Sequence, residues 1–219
     1  MKLFASLVAV AIFWMAWTAS PVSHAGDGNN LSAVNSSVSA KDGQTYGKLS
    51  TVNGDVHVGR GVTAEQAETV NGSIHIKADA RLGSVSTVNG SVDIGEGVAV
   101  AREAHTVNGG VEMSRRSRVG GEVATVSGDI ELEGAEVDGG LRTVNGDIEL
   151  TEGARVRGGI LVKKNKGFNW GSRNDDPVKV HICGTCVVEG ELRFERAVEL
   201  RVDQGGKIGN VVGDQVTRR

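Results

Sequence analysis

The 219-residue chain is short of the residues on which compact domains usually depend. Aromatic residues make up 4% of it, there are two prolines and two cysteines, and the formal net charge is −3. A core without large aromatic side chains must be filled by Val, Ile, Leu and Ala, so it must be narrow. The small negative charge excludes the basic surface with which nucleic-acid binders neutralise phosphates. Glycine, by contrast, is abundant, with 32 residues.

Residues 1–25 have the pattern of a secretory signal peptide. Met1-Lys2 is positively charged, an apolar run follows from Leu3 to Trp17, and Ser23 and Ala25 place small residues at the −3 and −1 positions. An uncleaved membrane anchor is the alternative, but the run is about 15 residues long, short of the ~20 that a bilayer requires. We expect cleavage after Ala25, no lipid attachment, and a periplasmic or secreted mature protein without a membrane span.

An eight-residue motif recurs six times in the chain. The first copy, TVNGDVHV, begins at Thr51, and the others follow at spacings of 18, 18, 19, 19 and 18 residues. A degenerate copy without its glycine, AVNSSVSA, covers Ala33 to Ala40. A fixed short period is typical of a stacked array, and a degenerate end repeat is typical of its cap. The later copies begin at Thr69, Thr87, Thr106, Thr125 and Thr143.

Each unit alternates β-branched and polar residues and is punctuated by Asn-Gly or Gly-Gly, which indicates short strands and corners. Hairpins at each Asn-Gly are an alternative, but only stacked parallel coils explain why every unit repeats the same residue at the same place. We predict an all-β, single-stranded parallel β-helix (β-solenoid) of about nine coils of 18–19 residues, roughly 40 Å long. The crossover rule favours a right-handed coil, and a left-handed one with an 18-residue turn stays open.

Stacked coils place equivalent residues above one another at about 4.8 Å. We expect the motif valines and the next apolar column to fill the interior, and the Asn-Gly pairs to form a corner ladder of amides and glycines. The expected interior columns are Val52, Val70, Val88, Val107, Val126 and Val144, and Val56, Ile74, Val92, Val111, Ile130 and Ile148. The expected corner ladder is Asn53, Gly54, Asn71, Gly72, Asn89, Gly90, Asn108, Gly109, Gly128, Asn145 and Gly146.

One exposed strand column is rich in acid and histidine. It could be a stripe that binds divalent cations weakly near Glu112 to Glu149, or a solvated face balanced by arginines, and we favour the second interpretation. No dedicated metal site is predicted. The column is His57, His75, Asp93, Glu112, Glu131 and Glu149, and the arginines are Arg115, Arg116, Arg118, Arg142, Arg155 and Arg157.

The pattern divides the chain into segments. Residues 26–48 form an N-terminal segment and capping coil, 49–162 the regular solenoid, 163–177 an excursion loop, 178–211 further coils, and 212–219 a frayed tail. The loop, KKNKGFNWGSRNDDP, is the candidate ligand-binding site because an exposed Trp beside cations can stack on a sugar ring; a lid over the solenoid wall is the alternative. Its candidate residues are Lys163, Lys164, Lys166, Phe168, Trp170 and Arg173.

Cys183-Gly-Thr-Cys186 contains the only two cysteines. In an exported protein a disulfide is the default. Thioredoxin-type redox chemistry would require the motif at a helix start, whereas its flanks are typical of strands. A zinc site would need two more ligands, and only His181 lies close in sequence.

With these motifs, the chain resembles the bacterial DUF4097 family of β-strand-repeat proteins, often described as adhesins, and the bactofilins, which have a similar short-coil β-helix and polymerise. The resemblance covers roughly Ala33 to Val162, and a weaker similarity extends through Val211. It implies a β-helix and carries over no catalytic residues. Because the ends of such a rod are open strand edges, we expect either capping or end-to-end self-association. Bactofilins are typically cytoplasmic and lack a signal peptide, so the N-terminus here departs from them.

The sequence thus predicts an exported, non-catalytic scaffold of the bacterial cell envelope, adhesive or structural through its flat sheet faces, with no cofactor. Its expected partner is an envelope protein or polysaccharide. A polysaccharide-binding module that uses the loop with Phe168 and Trp170 is the alternative. An enzyme is not predicted, because glycosidases need two carboxylates at a set separation across a cleft, and the acidic residues here repeat evenly along one face.

Overall fold

The computed structural model of the chain describes residues 29–164, 176–213 and 215–218. Within these residues the protein contains 26 β-strands and no helix. All strand pairs are parallel, and most join a residue to its equivalent 18 or 19 positions later, as Val56 pairs with Ile74 and Val92 with Val111. The predicted β-solenoid is therefore confirmed, and each coil lies directly on the one before it. No helix in the described residues is long and apolar enough to span a bilayer.

The first sheet, which we call the first wall, has ten strands in chain order, one from each coil. The count is one more than the nine coils predicted. The first seven strands begin two residues after the glycine of an Asn-Gly corner or its equivalent, and the last three begin at that corner position itself. The strands are β2 (Val38–Ala40), β4 (Val56–Val58), β6 (Ile74–Ile76), β8 (Val92–Ile94), β11 (Val111–Met113), β14 (Ile130–Glu133), β17 (Ile148–Thr151), β20 (Val178–Ile182), β23 (Val198–Val202) and β26 (Val216–Arg218).

The second sheet forms the rest of each coil. Its first strand has two residues and the next three have nine each, and beyond them each coil breaks into two short strands, which give the second and third walls. The early strands are β1 (Leu31–Ser32), β3 (Thr45–Asn53), β5 (Thr63–Asn71) and β7 (Arg81–Asn89). The second wall continues with β9 (Ala99–Val100), β12 (Arg118–Val119), β15 (Glu136–Val137), β18 (Arg155–Val156), β21 (Val187–Val188) and β24 (Lys207–Ile208). The third wall continues with β10 (Ala104–His105), β13 (Val123–Ala124), β16 (Leu141–Thr143), β19 (Ile160–Val162), β22 (Leu192–Phe194) and β25 (Val211–Val212).

The core confirms one predicted interior column and overturns the other. The column from Val56 to Ile148 is buried throughout. The motif valines, in contrast, are not part of the core; they point outward and are partly exposed, reaching 42% for Val126. The residue that points inward is the threonine before each valine. The buried threonines are Thr51, Thr69, Thr87, Thr106, Thr125 and Thr143.

The corner explains why a polar residue replaces valine inside. Five of the corner glycines have φ between 151° and 157°, a conformation that only glycine adopts readily; they are Gly54, Gly72, Gly90, Gly109 and Gly128. This turn directs a glycine carbonyl oxygen toward the next coil, where the threonine hydroxyl donates a hydrogen bond to it, as in Thr69 Oγ1 to Gly54 O at 2.9 Å. A threonine at this position satisfies both polar groups inside the shaft, which a valine could not do.

The N-terminal end of the shaft agrees with the prediction, and the C-terminal end differs from it. At the N-terminal end the capping coil is present, since β1 pairs with β3 and β2 pairs with β4. Ser36 occupies the glycine position there, with no described coil beneath it for its Cβ to meet. At the other end, residues 212–219 were expected to be frayed, yet β26 within this segment pairs with β23.

Candidate functional site

The most regular feature of the outer surface lies on the third wall. Seven valines from consecutive coils point outward there in one straight line, which we call the valine row. All seven are partly or largely exposed, and Val34 and Val126 reach 42%. Because a solvent-facing β-branched row satisfies no core requirement, it marks a surface available for contact. The valine row is Val34, Val52, Val70, Val88, Val107, Val126 and Val144.

Beside the valine row runs a row of side-chain amides, the asparagine ladder. Each Nδ2 donates to the Oδ1 one coil earlier at 2.8 Å, and this continues over five coils. Each ladder bond uses one of the two N–H groups of an amide, so the other N–H faces solvent. The ladder confirms the predicted stacking of the corner asparagines. Its members are Asn35, Asn53, Asn71, Asn89 and Asn108, and Ser127 and Asn145 continue the line without the amide bond.

The corner glycines stand where the backbones of successive coils approach most closely. A Cβ on Gly72 would lie 2.0 Å from Gly54 O, and one on Gly146 would lie 2.0 Å from Gly128 O. These glycines therefore keep the coils at β-sheet spacing. Their role is to hold the two outer rows in register.

The first wall carries the acidic column predicted from the sequence. Glu112, Glu131 and Glu149 are directly paired in register in successive strands. The pKa of Glu131 is raised, first by its partial burial and then by the charges of Glu112 and Glu149. The like charges therefore repel one another across the ladder.

The arginines do not balance this column, contrary to the sequence interpretation. They pair instead with acids at the corners and on the other walls. Arg115, for example, contacts Glu133 at 3.0 Å and Glu152 at 2.5 Å. The remaining pairs are Arg116 with Glu96, Arg118 and Arg157 with Glu136 and Asp138, Arg155 with Glu189, and Arg142 with Glu122.

Histidines at both ends of the acidic column contact carboxylates, a feature that the sequence interpretation missed. His75 Nδ1 lies 2.5 Å from Asp93 Oδ2. His181 lies between Glu149, at 3.5 Å, and Asp203, at 3.0 Å. The hydrogen bond from His181 lowers the pKa of Asp203. In the described ranges, no three His, Cys, Asp or Glu side chains converge to hold a metal ion.

Only part of the predicted loop site falls within the described residues. Lys163 and Lys164 continue the third wall beyond Val144 and Asn145, and the Lys163 backbone N–H donates to Thr143 O at 2.9 Å. Arg196 lies at the same corner, where its guanidinium donates to Val144 O at 2.9 Å. The other candidates, Lys166, Phe168, Trp170 and Arg173, lie outside the described residues.

The two cysteines form a disulfide across a corner. Cys183 and Cys186 are joined with a Cα–Cα distance of 5.1 Å, between β20 and β21. The same turn, closed by a backbone hydrogen bond from residue i+3 to residue i, occurs in other coils, for example at Ser114–Ser117 and Thr151–Ala154. Cys186 is buried and takes the small inward position that Ala154 has one coil earlier.

Comparison with known proteins adds no relative: the chain matches no protein-family model, no curated protein and no solved structure.

Proposed function

We propose that the chain is an exported, non-catalytic scaffold of the bacterial cell envelope that holds other macromolecules on its sheet walls. One observation carries the proposal: rows of identical outward side chains continue across the coils, as the valine row does over seven of them. A surface that repeats at every coil can contact an extended partner at many equivalent points. Weak contacts at each point then add up to firm attachment.

The arrangement of the acids supports a binding role over a catalytic one. Acid–base hydrolysis of a glycoside needs two carboxyl groups that face each other across the substrate. Glu112, Glu131 and Glu149 instead lie side by side on one wall, in adjacent strands. Their mutual repulsion accounts for part of the raised pKa of Glu131 without any catalytic purpose.

Export and envelope retention can be tested together. The full chain with a C-terminal tag is expressed in a Gram-negative host, its N-terminus is determined by mass spectrometry, and washed envelopes are probed for the tag. We expect a mature N-terminus at Gly26 and protein retained on the envelopes. A chain that lacks residues 2–25 is the control and should stay in the cytosol. An intact Met1 on the full chain, or full release into the wash, would contradict the proposal.

The loop remains a second candidate, because it begins where the outer rows end. Lys163 and Lys164, the first two residues of the loop, lie one coil after Val144 and Asn145 in the third wall, so a ligand on the rows would reach these two lysines. Trp170 is the only tryptophan after residue 25. Its fluorescence should therefore change when soluble glycans bind the loop. Unchanged emission across neutral and anionic glycans would remove this candidate.

A further inference from the structure

The valine row and the asparagine ladder together form a narrow, uncharged track along the third wall. From Val34 to Asn145 neither row contains an ionisable side chain. The charged side chains that flank these rows on the third wall form ion pairs with one another, Lys48 with Glu68 and Arg142 with Glu122. The first wall differs in this respect, since the arginines do not balance its acidic column. A ligand on the track is therefore not selected by charge, which argues against an acidic or basic polymer.

The chemistry of the track combines apolar and hydrogen-bonding groups in alternation across its width. The valine methyl groups provide an apolar strip. The second N–H of each ladder amide, polarised by the bond that its neighbour makes, provides a donor in each of the five coils from Asn35 to Asn108. Sugar rings have the complementary pattern, with C–H faces that pack on apolar surfaces and hydroxyl groups that accept and donate hydrogen bonds.

The size of the track decides between a folded partner and a slender one. Seven coils give a length of about 29 Å, and two side chains give a contact area on the order of 250 Å². A stable interface between folded proteins, including two copies of this chain, buries about 800 Å² on each side. The track is thus too narrow for such a partner, whereas one linear chain would cover its full length.

We propose that the third wall is a binding track for a neutral, linear polysaccharide, which lies along the solenoid axis on the valine row and bonds to the asparagine ladder. The inference rests on the scaffold function proposed above and names the class of partner. It also assigns the contact to the valine row and the asparagine ladder, without using Phe168 or Trp170. Coil-by-coil repetition makes affinity depend on polymer length, because each further coil adds the same contact.

The test is co-sedimentation of the purified protein with two insoluble neutral polysaccharides, cellulose and chitin. The row variant carries Val70→Lys, Val88→Lys and Val107→Lys. We expect it to lose binding by at least about tenfold, since three apolar contacts are removed. The matched control carries Thr45→Lys, Thr63→Lys and Ala99→Lys in an exposed row of the second wall and should bind as the unmodified protein does.

A second variant with threonine in place of lysine distinguishes the loss of the apolar contacts from a loss of folding. Val70→Thr, Val88→Thr and Val107→Thr preserve side-chain shape and strand propensity, so this protein should fold, and we expect its binding to fall several-fold. Circular dichroism and the melting temperature establish folding for each variant.

Three results would overturn the inference. They are no sedimentation of the unmodified protein with either polysaccharide, binding by the folded row variants equal to that of the control, and a dimer in light scattering that the row variants abolish. The last result would assign the row to a second copy of the chain. If the row variants lose polysaccharide binding yet stay on washed envelopes, both proposals stand; if the unmodified protein binds neither polysaccharide but stays on envelopes, only the track is lost.

Discussion

Most of the inward threonines donate a hydrogen bond to a polar corner carbonyl while their methyl groups contribute to the apolar shaft. Five of them donate to a corner carbonyl of the preceding coil, at 2.8 to 3.0 Å. Among the described residues, Thr143 differs, because its buried Oγ1 has no hydrogen-bond partner. Its neighbour in the next coil is Val162, which fills the same inward position without a hydroxyl.

Thr143→Val should therefore stabilise the protein. It removes a buried hydroxyl that gains no hydrogen bond and adds a methyl group beside Val162, and we expect the free energy of unfolding to rise by about 1 kcal/mol. The matched control is Thr125→Val, which loses the bond to Gly109 O and should lower stability by about 1 kcal/mol. Urea denaturation measures both variants. Equal effects of the two substitutions would show that the hydroxyl bond at Thr125 contributes nothing.

A glycine corner gives the second prediction at this scale. Gly90 has φ of 152°, and a Cβ there would lie 2.0 Å from Gly72 O. Gly90→Ala should cost more than about 3 kcal/mol, because the preceding coil must move. Gly61 also has a positive φ, 63°, but no atom lies within 4 Å of its Cβ position. Gly61→Ala should cost only about 1 kcal/mol, because it adds backbone strain alone. The difference between the melting temperatures of the two variants then measures the cost of the steric collision at Gly90.

At the scale of the element, the first wall combines a well-packed inner face with an unfavourable outer column. Its strands bury the side chains on either side of each outward residue, as Ile130 and Leu132 flank Glu131. The stacked glutamates therefore persist because inward packing outweighs the repulsion between them, which for adjacent strands is a fraction of a kcal/mol per pair.

The burial of Glu131 and its repulsion by neighbouring glutamates make the stability of the protein depend on pH. Because the pKa of Glu131 is raised in the folded protein, the folded state binds more protons than the unfolded state between the ordinary glutamate pKa and the raised value. Stability should then fall as pH rises through this window. We expect Glu131→Gln to remove that fall and to raise the melting temperature at pH 7.

Glu133→Gln is the control on the same strand. Glu133 is paired with Arg115 at 3.0 Å, so losing its charge should leave the melting temperature at pH 7 unchanged or slightly lower. Melting curves recorded from pH 4 to pH 7 compare the two variants. The same direction of change in both would show that repulsion in the column is not the cause.

At the scale of the whole molecule, the solenoid is a linear stack in which each coil contacts mainly its neighbours. In such a stack the stability is close to a sum over coils and their interfaces. The buried hydrophobic side chains form one continuous, narrow cluster along the shaft, from Val38 to Leu200, so each coil packs mainly on the coils directly before and after it.

Removal of one complete coil should therefore be tolerated. Deletion of residues 69–86 joins Glu68 to Thr87, which occupies the same register position as Thr69. We expect a folded protein whose rod is shorter by roughly 4.8 Å, as measured by small-angle X-ray scattering. Deletion of nine residues, 69–77, is the control and should unfold the chain, because it joins half a coil to the wrong wall. A folded half-coil variant would show that register is not set by the repeat.

Strand pairs that involve residues after 162 lie up to 32 residues apart, as Ile148 with Val180, and the expected 18-residue pairing of Val180 with Val198 is wrong, because Val180 pairs with Leu200. For the earlier coils, the repeat by itself determined the fold, the length of a coil and the pairing partners of the strand residues. The physical reason is that identical segments at a fixed spacing reach a common register only by stacking in parallel. The same reasoning placed the asparagines in a ladder, because adjacent amides in register can bond one another.

Only the tertiary structure decided which residue of each Thr-Val pair points inward. The two-residue corner interrupts the alternation of inward and outward side chains along the strand. It also turns a glycine carbonyl inward, and this oxygen needs a hydroxyl donor. The threonine therefore points into the shaft, and the valine faces solvent. The arginine pairings were likewise set by the walls, since Arg118 and Asp138 lie 20 residues apart yet meet across adjacent coils. Local pattern does not encode such contacts, because they depend on how each coil is bent.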